Sequence, residues 1–489
     1  MGSISLGRVT TLLLLSRAAG YILSLINSVV LARTLGVDQL GAYAYAMGLA
    51  GMFGLLPNLG LGTIITRTIA RNSNAGVSIL AAAIRTQALL AGGVMILMLS
   101  VAAMLPGQPV PLLYVGLAAG QLAIGTLSWP YLAVLAGRAR YDRVAAAELV
   151  AGLAGTATLL GAALLHGGVA AFLWGHIVAA GLAVMGARWI AGPILPTGAE
   201  DRMPLRALFR QAAPFGAAAA VQSVYTRLDI VMLGQMAPVA ALGLYSAAYK
   251  PINMAVYFGA TVAGTLFPLM AQATQVEVPA AFVRAMRGLG VVAPAFALAF
   301  SGLAGPMLNL LFGAEYLAAA PILIILAWSA AANWLYGPLG IALQARDHER
   351  SWLVGLIFAF VLNATGNVWA IPRWGALGAA GSTLVSELAL LGIGVGFVWG
   401  KLNIIPPPRR VLTGLAASLM GGLILLLLRS WGAALVTATA LIVYGAVVII
   451  FRGLTWDDLV ALTGWIREVR LGLSCRSVDG LEKEARTAG

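Results

Sequence analysis

Charge is scarce in this chain of 489 residues: only 10% of the positions are charged, against about a quarter in soluble domains. So thin a supply cannot solvate the surface of a protein this size, which excludes a soluble enzyme. A single cysteine, Cys475, leaves no disulfide framework and no cysteine-built metal site. His166, His176 and His348 are too few and too scattered for most metal centres. No Gly-x-x-x-x-Gly-Lys-Ser/Thr segment occurs, so no nucleotide-hydrolysing loop of that type is encoded, and no motif calls for a cofactor. What is abundant is apolar: 61% of the residues are hydrophobic and the mean hydropathy is +0.93. The net charge of +13 would indicate nucleic acid in a soluble protein. Here it reads as membrane topology, with membrane lipids as partners and no nucleic acid.

A membrane-crossing helix needs about 20 mostly apolar residues. Fourteen such stretches are read: 11–32, 40–61, 79–105, 112–136, 144–165, 168–190, 211–234, 242–270, 288–312, 319–342, 352–371, 375–399, 411–428 and 432–451. The seventh is diluted by Gln222, Tyr225, Arg227 and Asp229. With a cytoplasmic N-terminus, the outer loops hold 3 basic residues (Arg33, Arg373 and Arg429) and the inner loops and tails hold 23. That asymmetry is the positive-inside rule, and dropping one span would scramble it. The expected protein is all-α and polytopic, with both termini cytoplasmic in a bacterial inner membrane. The first stretch has no clear small-residue cleavage site and is read as a retained helix. From about Thr455 onward, Trp456, Leu459, Trp465 and Ile466 among charges fit an interfacial amphipathic helix or a solvated tail.

The chain also repeats itself at an offset of about 202–207 residues. Leu40-Gly41-Ala42-Tyr43 answers to Leu242-Gly243-Leu244-Tyr245, Gly137–Arg143 to Leu343–Arg350, and Gly168–Ala171 to Gly375–Ala380. Three matches in one order predict two six-helix lobes of the same orientation, related by an axis along the membrane normal. The expected organisation is an N-terminal lobe with its linker over 1–200, a C-terminal lobe over 201–400, two additional helices over 401–454 and a tail over 455–489.

Polar residues inside the spans are costly and mark cavities or partners. Arg17, Tyr21, Ser24, Asn27 and Ser28 share a face of the first span. Lys250, Asn253 and Tyr257 repeat the stripe on the eighth. Gln222, Tyr225, Thr226 and Asp229 share a face of the seventh, with Arg227 pointing elsewhere, and Ser329, Asn333 and Tyr336 lie on the tenth. The stripes fit a hydrated cleft between lobes; for the neutral residues, helix–helix hydrogen bonds explain them equally well. Arg17 and Lys250 favour the cleft. Asp229 is the expected counter-ion of Lys250 or Arg227. Glu387, with Ser382, Thr383 and Ser386 beside it, is either hydrogen-bonded within its lobe or a proton-exchanging group, and Glu148 is read as interfacial. A net-positive lumen prefers an anion, and an inside-negative potential favours its outward passage by roughly 2.3 kcal/mol per charge per 100 mV.

The run Leu31–Tyr43 resembles the opening of the Wzx-type polysaccharide repeat-unit flippases, within the multidrug/oligosaccharidyl-lipid/polysaccharide (MOP) exporter superfamily. Asn58–Gly62 leading to Arg67, Asp229–Gly234 and Ile371–Ala380 agree with it. The resemblance implies two lobes opening alternately and an undecaprenyl-diphosphate-linked oligosaccharide turned between leaflets. A polysaccharide polymerase and a chain-length regulator are its expected partners. It also implies that cations on the first helix of each lobe, here Arg17 and Lys250, hold the diphosphate, with Arg227, Asn27 and Asn253 lining the same lumen. Asp229 and Glu387 would then serve as counter-ion or coupling groups. In related lipid II flippases the two additional helices form a lipid-tail groove; those proteins carry more lumen arginines, so lipid II is not the favoured substrate.

Two other functions match parts of the sequence. A cation-coupled drug antiporter of the same superfamily would need acidic lobe residues, for which Asp229 and Glu387 are available, but the basic lumen opposes cationic drugs. A membrane polymerase or ligase would expose catalytic groups on a large outer loop; every outer loop here is short, and none offers a carboxylate pair or His-centred cluster.

Overall fold

The computed structural model describes the backbone of residues 6–71, 76–192, 223–224, 226–272, 277–404, 408–428 and 430–451. Of these, the side chains of 6–15, 17, 76–79, 257–272, 277–281, 284 and 408 lie outside the description. The linker before residue 223 and the tail after Phe451, including the expected amphipathic segment, are therefore not described. In a bilayer every backbone polar group must be satisfied internally, and an apolar chain answers with helices. Helix is what forms here: no strand occurs among the described residues, and 11 helical segments are long and apolar enough to cross a membrane.

The first lobe is built from α1 (Leu6–Phe53), α2 (Leu61–Arg71), α3 (Gly76–Met104), α4 (Leu112–Thr126), α5 (Trp129–Gly137), α6 (Tyr141–Leu164) and α7 (Val169–Ala191). The second begins with α8 (226–236) and continues through α9 (Val239–Gln272), α10 (Glu277–Phe312), a 3-10 turn (Ala314–Ala319), α11 (Ala320–Gln344), α12 (Glu349–Trp374) and α13 (Ala376–Leu402). The final pair, α14 (Pro408–Leu427) and α15 (Ala433–Ile450), packs on α10. There Tyr444 donates to the Val291 carbonyl at 2.5 Å.

The first two expected spans are the two arms of α1, folded at Gly36, whose φ of 69° and ψ of 178° lie outside the helical region. Only a residue without Cβ takes that conformation cheaply. The expected fourth span is interrupted: Leu127 and Ser128 end α4, and Pro130 opens α5, where its missing N–H costs nothing. Most of the seventh span, 211–222, lies outside the described residues.

The repeat read in the sequence recurs as geometry. Helix α5 ends with Ala139 at φ 54° and an Arg140 N–H donating to the Leu135 carbonyl at 2.9 Å. Helix α11 ends the same way, with Asp347 at φ 59° and a His348 N–H donating to the Leu343 carbonyl at 2.9 Å. Where the lobes meet, α1 packs on α9, and the matched glycines Gly41 and Gly243 approach the carbonyls of Val239 and Val37 respectively. Large side chains such as Leu89, Ile96, Leu353, Phe358 and Leu419 stay exposed, a surface suited to hydrocarbon. Trp189, Trp399 and Trp431 are exposed near helix ends, where an interfacial belt is expected.

Candidate functional site

Four elements converge on a cleft between the lobes. The first arm of α1 supplies Ser24 and Ser28, the second supplies Tyr43, Met47 and Gly48, α8 supplies Arg227, and α9 supplies Lys250 and Asn253. Small residues let α8 close on α1: Gly48 lies under Ile230, and Gly51 leaves room for the Arg227 side chain. An inner chamber of about 200 Å³ reaches Leu40 and Phe312. A second chamber of about 510 Å³ opens toward Gly20 and Tyr21. Ser28, Arg227, Lys250 and Asn253 line both.

The opposite end is shut by lobe-to-lobe contacts. Arg33 donates through Nε to the Leu311 carbonyl at 2.9 Å and through Nη2 to the Leu310 carbonyl at 2.5 Å. Tyr316 donates to the Ala32 carbonyl at 2.9 Å, and Gln235 donates to Tyr45.

Two cations thus face one water-accessible cavity. Lys250 is exposed within it although α9 is surrounded by apolar helices, and it feels the repulsion of Arg227. The one ion pair among the described residues, Arg140–Asp142 at 2.7 Å, lies elsewhere. The cleft therefore has positive charge that no acid of the described chain neutralises at contact.

The remaining predicted residues divide. Asn253 lines the cleft, whereas Asn27 is half-buried with its Oδ1 enclosed and unpartnered. The Arg17 side chain falls outside the described residues, as do those of Gln222, Tyr225 and Tyr257. On α8 Arg227 enters the cleft, where the resemblance puts it and the helical stripe does not, and Asp229 of the stripe turns into the second lobe. There its carboxylate accepts from the Tyr245 hydroxyl at 2.5 Å and from the Ile230 N–H at 2.9 Å. Tyr245 in turn meets Thr383 of α13. Glu387 also lies within the second lobe, hydrogen-bonded by Tyr336 and Asn333 of α11, with Oε2 enclosed and unpartnered. Of the stripe on the tenth span, only Asn333 and Tyr336 bond across helices, to Glu387; Asn333 also donates to Tyr336 at 2.5 Å within α11, and Ser329 donates to the Ile325 carbonyl of its own helix at 3.1 Å.

Glu148, assigned to the interface by its sequence position, lines the outer chamber of the cleft. It also lines an open groove of about 630 Å³ with Arg67 and Trp129. Arg67 and Trp129 were legible only as a loop charge and as part of an apolar run.

A family model described as polysaccharide biosynthesis protein matches residues 6–274, more than half of the chain. The chain belongs to that family. One curated relative is the probable low-salt glycan biosynthesis flippase Agl15 of Haloferax volcanii, 27% identical over 169 residues. The match covers 33% of this chain and 35% of that protein, so this family member spans about a third of its relative's length. Among solved structures, the lipid II flippase MurJ in an inward closed conformation superposes with a TM-score of 0.70 at 14% identity, covering 92% of this chain and 100% of that one. An inward-facing multidrug resistance MATE family transporter of the MOP superfamily gives 0.57 at 15% identity, over 78% and 94% of the two chains. A MOP superfamily transporter from Pyrococcus furiosus gives 0.55 at 14%, over 81% and 94%. At these identities the likeness is one of fold: this polysaccharide biosynthesis protein is a multi-pass membrane protein with the MOP architecture.

Proposed function

We propose that this protein is a flippase that turns an oligosaccharide linked through diphosphate to a polyprenyl lipid, in the reading of an undecaprenyl carrier, from the cytoplasmic to the periplasmic leaflet. The observation that carries the reading is the presence of Arg227 and Lys250 on one accessible cleft with no ion-pair partner for either among the described residues, Glu148 being the one acid that lines its outer chamber there. Two cations held against each other's repulsion are stabilised by an anion between them, and a diphosphate presents oxygens to both. Ser24, Ser28 and Asn253 add neutral hydrogen-bonding groups beside them. Arg17, about two helical turns from Ser24 and three from Ser28 on the same arm, completes the cradle in this reading.

The distribution of basic residues sets the orientation: both termini cytoplasmic in an inner membrane, the cleft open inward and the Arg33 end sealed outward. Residues 1–200 and 201–400 act as the two rocking lobes, 401–454 as the accessory pair, and a polymerase with its chain-length regulator receives the product. Asp229 and Glu387 lie inside the second lobe and would serve coupling there rather than touch the substrate. The neighbouring reading, a cation-coupled antiporter, rests on those two carboxylates, but neither lines the cleft. Purified protein in liposomes should move a fluorescent polyprenyl-diphosphate glycolipid between leaflets, and Lys250→Ala should abolish that movement. Unchanged movement by the variant would reject the cradle.

A further inference from the structure

Glu148 is shared between the cationic cleft and a groove in the first lobe whose two walls are chemically unlike. One wall is α2. It follows a tight turn through Leu59 at φ 37° and Gly60 at φ 79°, with Asn58 Oδ1 accepting from the Gly62 N–H at 3.0 Å. Its apolar face, Leu61, Ile64, Ile65 and Ile69, is buried in the lobe. Its other face turns Thr63, Thr66 and Arg67 into the groove at helical spacing. The facing wall is α5, which presents Trp129, Leu132, Ala133 and Ala136, again at intervals of three and four. Trp129 is half-buried, and Arg67 and Glu148 are exposed without an ion-pair partner among the described residues.

We infer that this groove is a saccharide subsite, holding the first sugars of the lipid-linked chain while the diphosphate occupies the cleft. A pyranose has an apolar C–H face and a rim of hydroxyls. An indole and an aliphatic wall take the first, while a guanidinium, a carboxylate and the Thr63 hydroxyl take the second, the Thr66 hydroxyl being engaged with the Ala133 carbonyl at 3.2 Å. A volume of about 630 Å³ lies within the range of small-molecule sites. A hydrocarbon tail would leave Arg67 and Glu148 unanswered. The break between α4 and α5 at Ser128 gives Trp129 its position at the start of that wall.

The inference rests on the flippase reading, and one experiment separates the two. The purified full chain in nanodiscs is titrated with farnesyl diphosphate and with farnesyl diphosphate bearing an N-acetylglucosamine-initiated trisaccharide. The wild type should bind the glycosylated probe about tenfold more tightly. Trp129→Ala and Arg67→Ala should each bring that ratio toward one, and Trp129→Phe should keep most of it. Lys250→Ala should weaken both probes. Arg67 is exposed and partnerless, so its variant reports without risk to folding. Equal affinities in the wild type would overturn the subsite, as would a ratio untouched by Trp129→Ala and Arg67→Ala. Equal weakening of both probes by Arg67→Ala would assign that residue to the diphosphate and overturn it too. Binding of neither probe would reject the flippase reading itself.

Discussion

Gly41 sits so close to the backbone carbonyl of Val239 that a methyl group on its α-carbon would overlap the oxygen. The symmetry-matched Gly243 stands in the same relation to Val37. The shut end of the cleft is therefore a pair of backbone-to-backbone contacts, possible only where both lobes carry glycine. Gly41→Val should hold the lobes apart at that end. With Cys475 replaced by serine, a cysteine at the buried Leu35 should then label several-fold faster with a maleimide. Unchanged labelling would mean that the contact does not seal the end.

Arg33 secures the same end by a different chemistry. The last carbonyls of a helix have no partner within it, and a cation at that end satisfies them and complements its dipole. Arg33→Ala leaves the carbonyls of Leu310 and Leu311 to water. Because the side chain is exposed, the expected loss is about 1 kcal/mol of the closed state, below the roughly 1.5–3 kcal/mol of a charged hydrogen bond. Arg33→Lys keeps the charge but not the forked geometry and should recover part of it. The measure is the closed fraction from spin-label distances across the shut end.

In the proposed diphosphate cradle, charge and shape separate by substitution. Lys250→Ala, Arg227→Ala and Arg17→Ala should each abolish surface polysaccharide while the protein stays in the membrane. Lys250→Arg should keep much of the function if charge alone matters. Normal polysaccharide in Lys250→Ala cells, with the protein at its usual level, would exclude the cradle.

The second-lobe acid network calls for stability measurements rather than transport. Tyr245 is fully buried and donates to the Asp229 carboxylate. Removing that donor leaves a buried acceptor unpaired, at a cost of roughly 1–3 kcal/mol. Tyr245→Phe should therefore lower the thermal midpoint by several degrees, and the further change Asp229→Asn should add less than it does in the wild type. Additive effects would show that the two residues do not act as a pair.

The two lobes were legible because the repeat is carried by residues with backbone consequences. The segments around Ala139 and Asp347 end their helices through the same left-handed turn. On α8 the stripe alone put Asp229 on the cleft face and turned Arg227 away, against the lumen place that the resemblance implies for Arg227, for a reason that periodicity cannot remedy. Arg227 and Asp229 are two positions apart, so they diverge by roughly 200° around the axis. The spacing fixes that angle and leaves open which residue meets water. The choice belongs to the neighbours: Gly51 makes room for a guanidinium and Tyr245 supplies a donor to a carboxylate. The α4–α5 break was hidden differently, since Pro130 sits in a stretch whose mean hydropathy is that of a continuous span. Glu148 went unrecognised because nothing local marks a helix surface as the junction of two cavities.

The electrostatic reading of the cleft also fixes the sign of a voltage effect. If the proposed substrate leaves the Lys250 chamber for the far leaflet, its diphosphate carries negative charge outward, and each charge gains roughly 2.3 kcal/mol per 100 mV when the starting side is negative. Translocation of a diphosphate-linked lipid in oriented liposomes should therefore quicken when a potassium gradient with valinomycin makes the cleft side negative, and slow when the gradient is reversed. A neutral glycolipid of the same chain length should respond to neither. Rates indifferent to polarity would mean that the substrate's charge is compensated in transit, and an acid or an ion moving with the lobes, Glu387 first among them, would have to carry the coupling instead.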